Sequence, residues 1–172
     1  MLPPEAQDDV MPGHWKGDLI KGAANQSAVT VLVERTTRLV LLAKMEGSTT
    51  ACALKAFSTN FNSIAKPMRK TLTCDQGREM AKHAGSTERT GVAVYFCAPN
   101  SPWQRGTCEN TNGFLRQYMP KSTDLSVFSQ DQLDALADQM NNRPRVTHAF
   151  ASPLQVFFKL VGDSAHPEPP LR

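Results

Sequence analysis

The order of strand-like and helix-like segments predicts an α/β layered domain built on a mixed sheet. Three observations predict it. Strand-like runs come three in succession at 14–21, 28–34 (β-branched) and 38–45, and a short turn joins the last two, as in an antiparallel meander. A helix-spaced set, Leu54, Phe57, Phe61 and Ile64, follows directly. Two further strand-like runs, at 70–75 and 92–98, are each reached only after a helical or polar interval, and helical patterns fill most of what remains.

In chain order, residues 1–12 are polar and proline-punctuated and read as a leader lying over the surface. His14–Lys21 is a strand ended by Gly22, Ala28–Glu34 carries Val29, Thr30, Val31 and Val33, and Arg35-Thr36-Thr37 turns the chain into the third strand. Ser48 or Thr49 caps a helix to about Ala65, which Pro67 stops. A strand at Lys70–Asp75 and a short helix near 82–90 precede Val92–Ala98, which Pro99 breaks. The next helix has two possible starts: a capping box of Ser101, Pro102 and Gln104, or a later one at Gly106-Thr107. Either way Thr111, Phe114, Leu115 and Tyr118 share a core face, and Arg105, Glu109, Asn112, Gly113 and Arg116 share the opposite one. Ser129-x-x-Gln132 opens another helix with Leu133, Leu136, Ala137 and Met140 inward, ended by Asn142-Arg143-Pro144-Arg145. Pro153–Leu160 adds a short helix, and the chain frays from Gly162.

At 172 residues this is one domain with room for a real core. The net charge of +3 decides nothing about partners, because basic patches depend on placement. The four cysteines make no Cys-x-x-Cys pair and the four histidines are scattered, which excludes a structural zinc pattern and leaves reduced thiols. With no secretory signal or membrane-length apolar run, a reducing cytoplasm is the expected compartment, with no membrane partner.

Three carboxylates stand out. Asp18 sits inside a strand between Gly17 and apolar Leu19-Ile20, Asp75 ends a short apolar strand, and Glu109 comes from a helix face with a longer reach. Any one of them reads most simply as a solvated charge; Asp75-Gln76-Gly77 is also good turn sequence, and acids suit first helical turns. Together they suit a divalent-metal site. Two hard cations about 4 Å apart can activate an attacking oxygen, stabilise the leaving one and neutralise a phosphate.

These segments taken together resemble the catalytic core of bacterial transposases of the insertion-sequence-thirty family, relatives of retroviral integrases. The residues that carry the resemblance are His14–Ile20, Val33–Arg38, Asp75–Met80, Tyr95-Phe96-Cys97, Ser101–Asn112, Leu115–Tyr118 and Asn142–Arg145, with 33 residues between Asp75 and Glu109. The resemblance implies an RNase H-like fold with a mixed five-stranded sheet flanked by helices, in a catalytic core over 13–160 followed by a flexible tail over 161–172. It implies that Asp18, Asp75 and Glu109 are the catalytic triad and hold two Mg²⁺ or Mn²⁺ ions. The implied reaction is cleavage at transposon ends and strand transfer into target DNA, by a homo-oligomer on DNA and with no nucleotide cofactor. Trp103, Gln104, Arg105, Asn112 and Arg116 are candidate DNA contacts, placed at or on the glutamate's helix face. Arg143 and Arg145 read more simply as solvated charges at a helix end.

Three features depart from that family. Lys16 stands where relatives usually carry Glu, on the same strand face as Asp18, where an ammonium competes with a cation. Cys108 stands where Asn is usual, and no helix-turn-helix segment precedes the core. The rival expectation is therefore an inactive remnant that binds DNA or an intact transposase as a regulator.

Overall fold

The computed structural model describes residues 11–47, 50–64, 66–74, 91–96 and 106–165, and within these the side chains at 25, 50, 51, 54, 96, 106–110 and 163–165 are left undescribed. Five strands form one sheet: β1 (His14–Lys21), β2 (Ala28–Glu34), β3 (Val40–Lys44), β4 (Thr71–Cys74) and β5 (Ala93–Phe96), in the order β3-β2-β1-β4-β5. The β1–β2 and β2–β3 pairs are antiparallel, whereas β1–β4 and β4–β5 are parallel, so the mixed sheet is the expected one. The first two strands match the sequence reading to the residue. The third is shorter than 38–45, because Arg38 adopts a left-handed φ of 66° that keeps it in the turn.

Helix α1 (Thr50–Asn62) and helix α4 (Pro153–Ala165) cover one face of the sheet, and α2 (Gly106–Leu115) and α3 (Gln130–Asn141) cover the other. Strand alternation divides the core accordingly. Trp15, Leu32 and Ala43 pack with Phe57, Phe61 and Phe157 on the first face; Ile20, Val31, Val33 and Leu42 pack with Leu115, Leu133 and Met140 on the second. Trp15 anchors the first layer: its indole N–H donates to the Met68 carbonyl at 2.7 Å, and Phe61 meets it edge-on at 5.9 Å.

The capping box at Ser129 and Gln132 forms as expected, and all four anticipated inward residues of α3 are buried. Helix α4 runs to Ala165, past the expected stop at Leu160, because Leu154, Phe157 and Val161 continue a stripe onto the core. Tyr118 is exposed, contrary to its place on the expected core face of α2. The helix ends at Leu115, the turn tightens, and Met119 is the residue that becomes fully buried. The alternative start at Ser101 and the short helix expected at 82–90 lie outside the described residues.

Two connections fix β1 in place. After β1, a Cβ on Gly22 would come within 2.7 Å of the Thr123 carbonyl oxygen, so the close approach of the 120–125 segment requires glycine. That segment is clasped by Ala23 N–H donating to the Thr123 carbonyl and by Leu125 N–H donating to Ser27 Oγ, both at 2.9 Å. At the other end Glu34 is fully buried and accepts from the Gly13, Thr36 and Thr37 amides and from the Thr37 hydroxyl.

The outer margin of β3 is closed by side chains rather than by a strand. Asn141 accepts from Val40 N–H and donates to Val40 C=O, both at 2.8 Å. Three helical turns away, Gln130 accepts from Lys44 N–H and donates to Leu42 C=O, both at 2.9 Å. Each amide carries a donor and an acceptor and so stands in for one peptide of a missing neighbour.

Candidate active site

Asp18 lies on β1 with strands on both sides, on the face covered by α2 and α3. Its register partner is Val31, and both Val31 and Ile20 belong to the core on that face. Leu19 N–H donates to Oδ1 at 2.8 Å, and Asn112 Nδ2 of α2 donates to Oδ2 at 2.7 Å. The amide oxygen of Asn112 is buried without a hydrogen-bond partner. Two hard oxygen groups, a carboxylate and an amide carbonyl, therefore stand together where strand meets helix, which is the donor chemistry Mg²⁺ and Mn²⁺ take.

Glu109 falls in the first turn of α2, one helical turn before Asn112 and so on the same side of that helix; its side chain lies outside the described residues. Asp75 also lies outside them; the strand described before it ends at Cys74. Cys74, the residue before it, ends β4 opposite Gly17, the residue before Asp18, in a parallel ladder. A Cβ on Gly17 would meet Leu72 Cδ1 at 2.9 Å, so this rung has no room for a larger residue. Trp103, Gln104 and Arg105 lie outside the described residues. Arg116 sits on the expected face and donates to the carbonyls of Lys21 and Met119, tying the end of α2 to the end of β1. Among the described residues no group of three His, Cys, Asp or Glu side chains gathers.

The sequence put Asn112 on the same helix face as Glu109 and expected it to contact DNA; that it bonds Asp18 was not visible there. Thr73 was missed. Parallel pairing sets it beside Lys16 on the Asp18 face, and its hydroxyl is buried without a partner. Lys16 itself is only 3% exposed, two residues before Asp18 on the same face. Lys16→Glu is expected to raise Mg²⁺ affinity while lowering metal-free stability, because two carboxylates would then share one buried face. Calorimetric titration and melting with and without Mg²⁺ check this; unchanged or weaker metal binding would count against it.

A sheet in this order with helices on both faces is the RNase H-like architecture of retroviral integrase catalytic cores. The bovine immunodeficiency virus (BIV) integrase core superposes with a TM-score of 0.64 at 15% identity, covering 88% of this chain and 97% of that one. The simian T-cell lymphotropic virus intasome structure, in complex with PP2A regulatory subunit B56 gamma, gives 0.67 at 17% identity, covering 94% of this chain and 58% of that one. The chain belongs to the Integrase core domain family, which matches residues 9–102. It is 63% identical over 161 residues to the transposase for insertion sequence element IS1086 of Cupriavidus metallidurans, covering 94% of this chain and 48% of that protein. It is 46% identical over 144 residues to transposase InsI for insertion sequence element IS30A of Escherichia coli, covering 84% of this chain and 37% of that protein. The chain thus spans about half the length, or less, of these curated relatives.

Proposed function

We propose that this chain is the catalytic core of a DNA transposase of the insertion-sequence-thirty type. It cuts DNA at insertion-sequence ends and joins the freed 3′-hydroxyl to target DNA in the bacterial cytoplasm, as a homo-oligomer that holds both ends. The observation that carries the reading is the hydrogen bond of Asp18 to Asn112 on α2, the helix of Glu109, with β4 ending at Cys74 beside Gly17.

Asp18, Asp75 and Glu109 would hold Mg²⁺ or Mn²⁺, which supplies activation of the attacking oxygen and stabilisation of the leaving one. Asn112 holds the Asp18 carboxylate in a single orientation, so little reorganisation is needed when a cation binds. Trp103, Gln104 and Arg105 at the entrance to α2, with Asn112 and Arg116 along it, line the path of the DNA.

Lys16, buried beside Asp18, favours a second reading: a remnant that binds DNA or an intact transposase without cutting. One assay separates the two. With Mn²⁺ and a labelled duplex ending in an insertion-sequence terminal repeat, cleavage and strand transfer are expected, lost on chelation and in Asp75→Asn. Folded protein that binds the duplex and never cuts would establish the remnant, and degradation of RNA–DNA hybrids in preference to DNA would argue for a general nuclease.

A further inference from the structure

A second group of charged residues gathers away from Asp18. Asn141 ties the end of α3 to Val40, and His148 Nε2 lies 2.8 Å from the Thr37 carbonyl. These two tethers bracket the 142–147 segment against the β2–β3 turn, which brings Arg143 and Arg145 to the neighbourhood of Arg38. The Arg143 guanidinium is also fixed from beneath, with its carbon 4.4 Å from the centre of the Phe114 ring on α2.

Backbone hydrogen bonds define the shape of the segment. Arg145 N–H donates to the Ala151 carbonyl at 3.0 Å, and its own carbonyl accepts from His148 N–H at 3.0 Å and Phe150 N–H at 2.8 Å. Ala149 and Phe150 both adopt left-handed φ, at 51° and 69°, to close this loop. Within it the Nε of Arg145 is buried with no hydrogen-bond partner. Burial, then the like charges of Arg143 and Arg38, hold the Arg145 guanidinium below its ordinary pKa. Neighbouring guanidiniums repel one another, and a buried donor without a partner is unfavourable. An anion with several acceptor oxygens would relieve both costs.

We propose that Arg38, Arg143 and Arg145 form a phosphate-binding site that grips the DNA backbone beside Phe114 of α2, separately from the metal-binding carboxylates. The site deepens the transposase reading and rests on it for the choice of DNA. Arg143 is exposed and Arg145 half-buried, so the charges run from surface to interior. The stacked Arg143 guanidinium is held at the surface, where a duplex phosphate can reach it. Contacts of this kind fix the register of a duplex without reading its sequence.

The test is binding of the 172-residue chain to a random-sequence duplex, followed by fluorescence anisotropy between about 50 and 200 mM salt. Arg143→Gln/Arg145→Gln is expected to weaken binding about tenfold or more at the low end. It should also flatten the dependence of log Kd on log salt by about 1 to 2, roughly one for each phosphate that is no longer neutralised. Should the double variant fail to fold, Arg143→Gln alone, at an exposed position, is expected to flatten the slope by about 1. A wild-type slope and affinity in a folded variant would overturn the proposal. So would tighter binding to an RNA duplex, or arginine-dependent binding of inorganic phosphate with unchanged DNA affinity. The readout needs no catalysis: a chain that never cuts but loses salt-dependent binding in these variants keeps this site and loses the transposase reading. A cutting chain with unaltered binding does the reverse.

Discussion

Asp18→Asn is expected to abolish strand cleavage and transfer while leaving the melting temperature within a few degrees of wild type. The amide conserves the size of the side chain and removes its charge. Its oxygen can keep the bond from Leu19 N–H, and its new N–H₂ would then face Asn112. Asn112 can accommodate this by turning its own amide, because its oxygen is buried without a partner and can accept the new donor. The fold therefore loses little. On the proposed function the site loses a formal charge where a divalent cation would be held, and the expected fall in rate exceeds the roughly 10–100-fold typical of losing only an outer partner of a metal ligand. Single-turnover cleavage with Mn²⁺, alongside thermal melting, separates the two effects. Retained cleavage in the folded variant would remove Asp18 from the site.

Glu34→Ala is expected to destabilise the domain by about 3–5 kcal/mol, a large share of the roughly 5–15 kcal/mol of a typical domain. The carboxylate is fully buried. Its Oε1 accepts from Gly13 N–H at 3.1 Å and Thr36 N–H at 3.2 Å, and its Oε2 from Thr37 N–H and Thr37 Oγ1, both at 2.6 Å. Truncation would leave four donors without an acceptor, and these donors connect the entry to β1 with the β2–β3 turn. Glu34→Gln should also be costly, because either orientation of the amide turns an N–H₂ toward two donors. Urea unfolding followed by circular dichroism measures both variants; a Glu34→Ala midpoint near wild type would show that water replaces the carboxylate.

What the sequence made legible follows from which forces are local. Periodicity marked the apolar faces of α1 and α3, a β-branched run marked β2, and the Ser129–Gln132 box marked a helix start, because each signal comes from residues within a turn or two of each other. Glu34 was not legible as a hub. In the sequence it reads only as the last residue of a strand before the Arg35-Thr36-Thr37 turn, and its donors include Gly13, 21 residues earlier. Nothing in the sequence singles out Gln130 and Asn141, since their partners on β3 lie 86 to 101 residues away. At the site, alternation put Lys16 and Asp18 on one face and helical spacing put Glu109 and Asn112 on another, but the sequence did not reveal that Asp18 and Asn112 touch. Register brought them together, and register depends on the whole sheet.

The amides of Gln130 and Asn141 also constrain how copies of this chain can meet. A strand offered by a neighbouring molecule finds Val40, Leu42 and Lys44 already engaged, so β3 cannot seed a sheet that runs on from subunit to subunit. Any contact between copies would then be built through other surfaces, leaving the sheet a closed unit along that side.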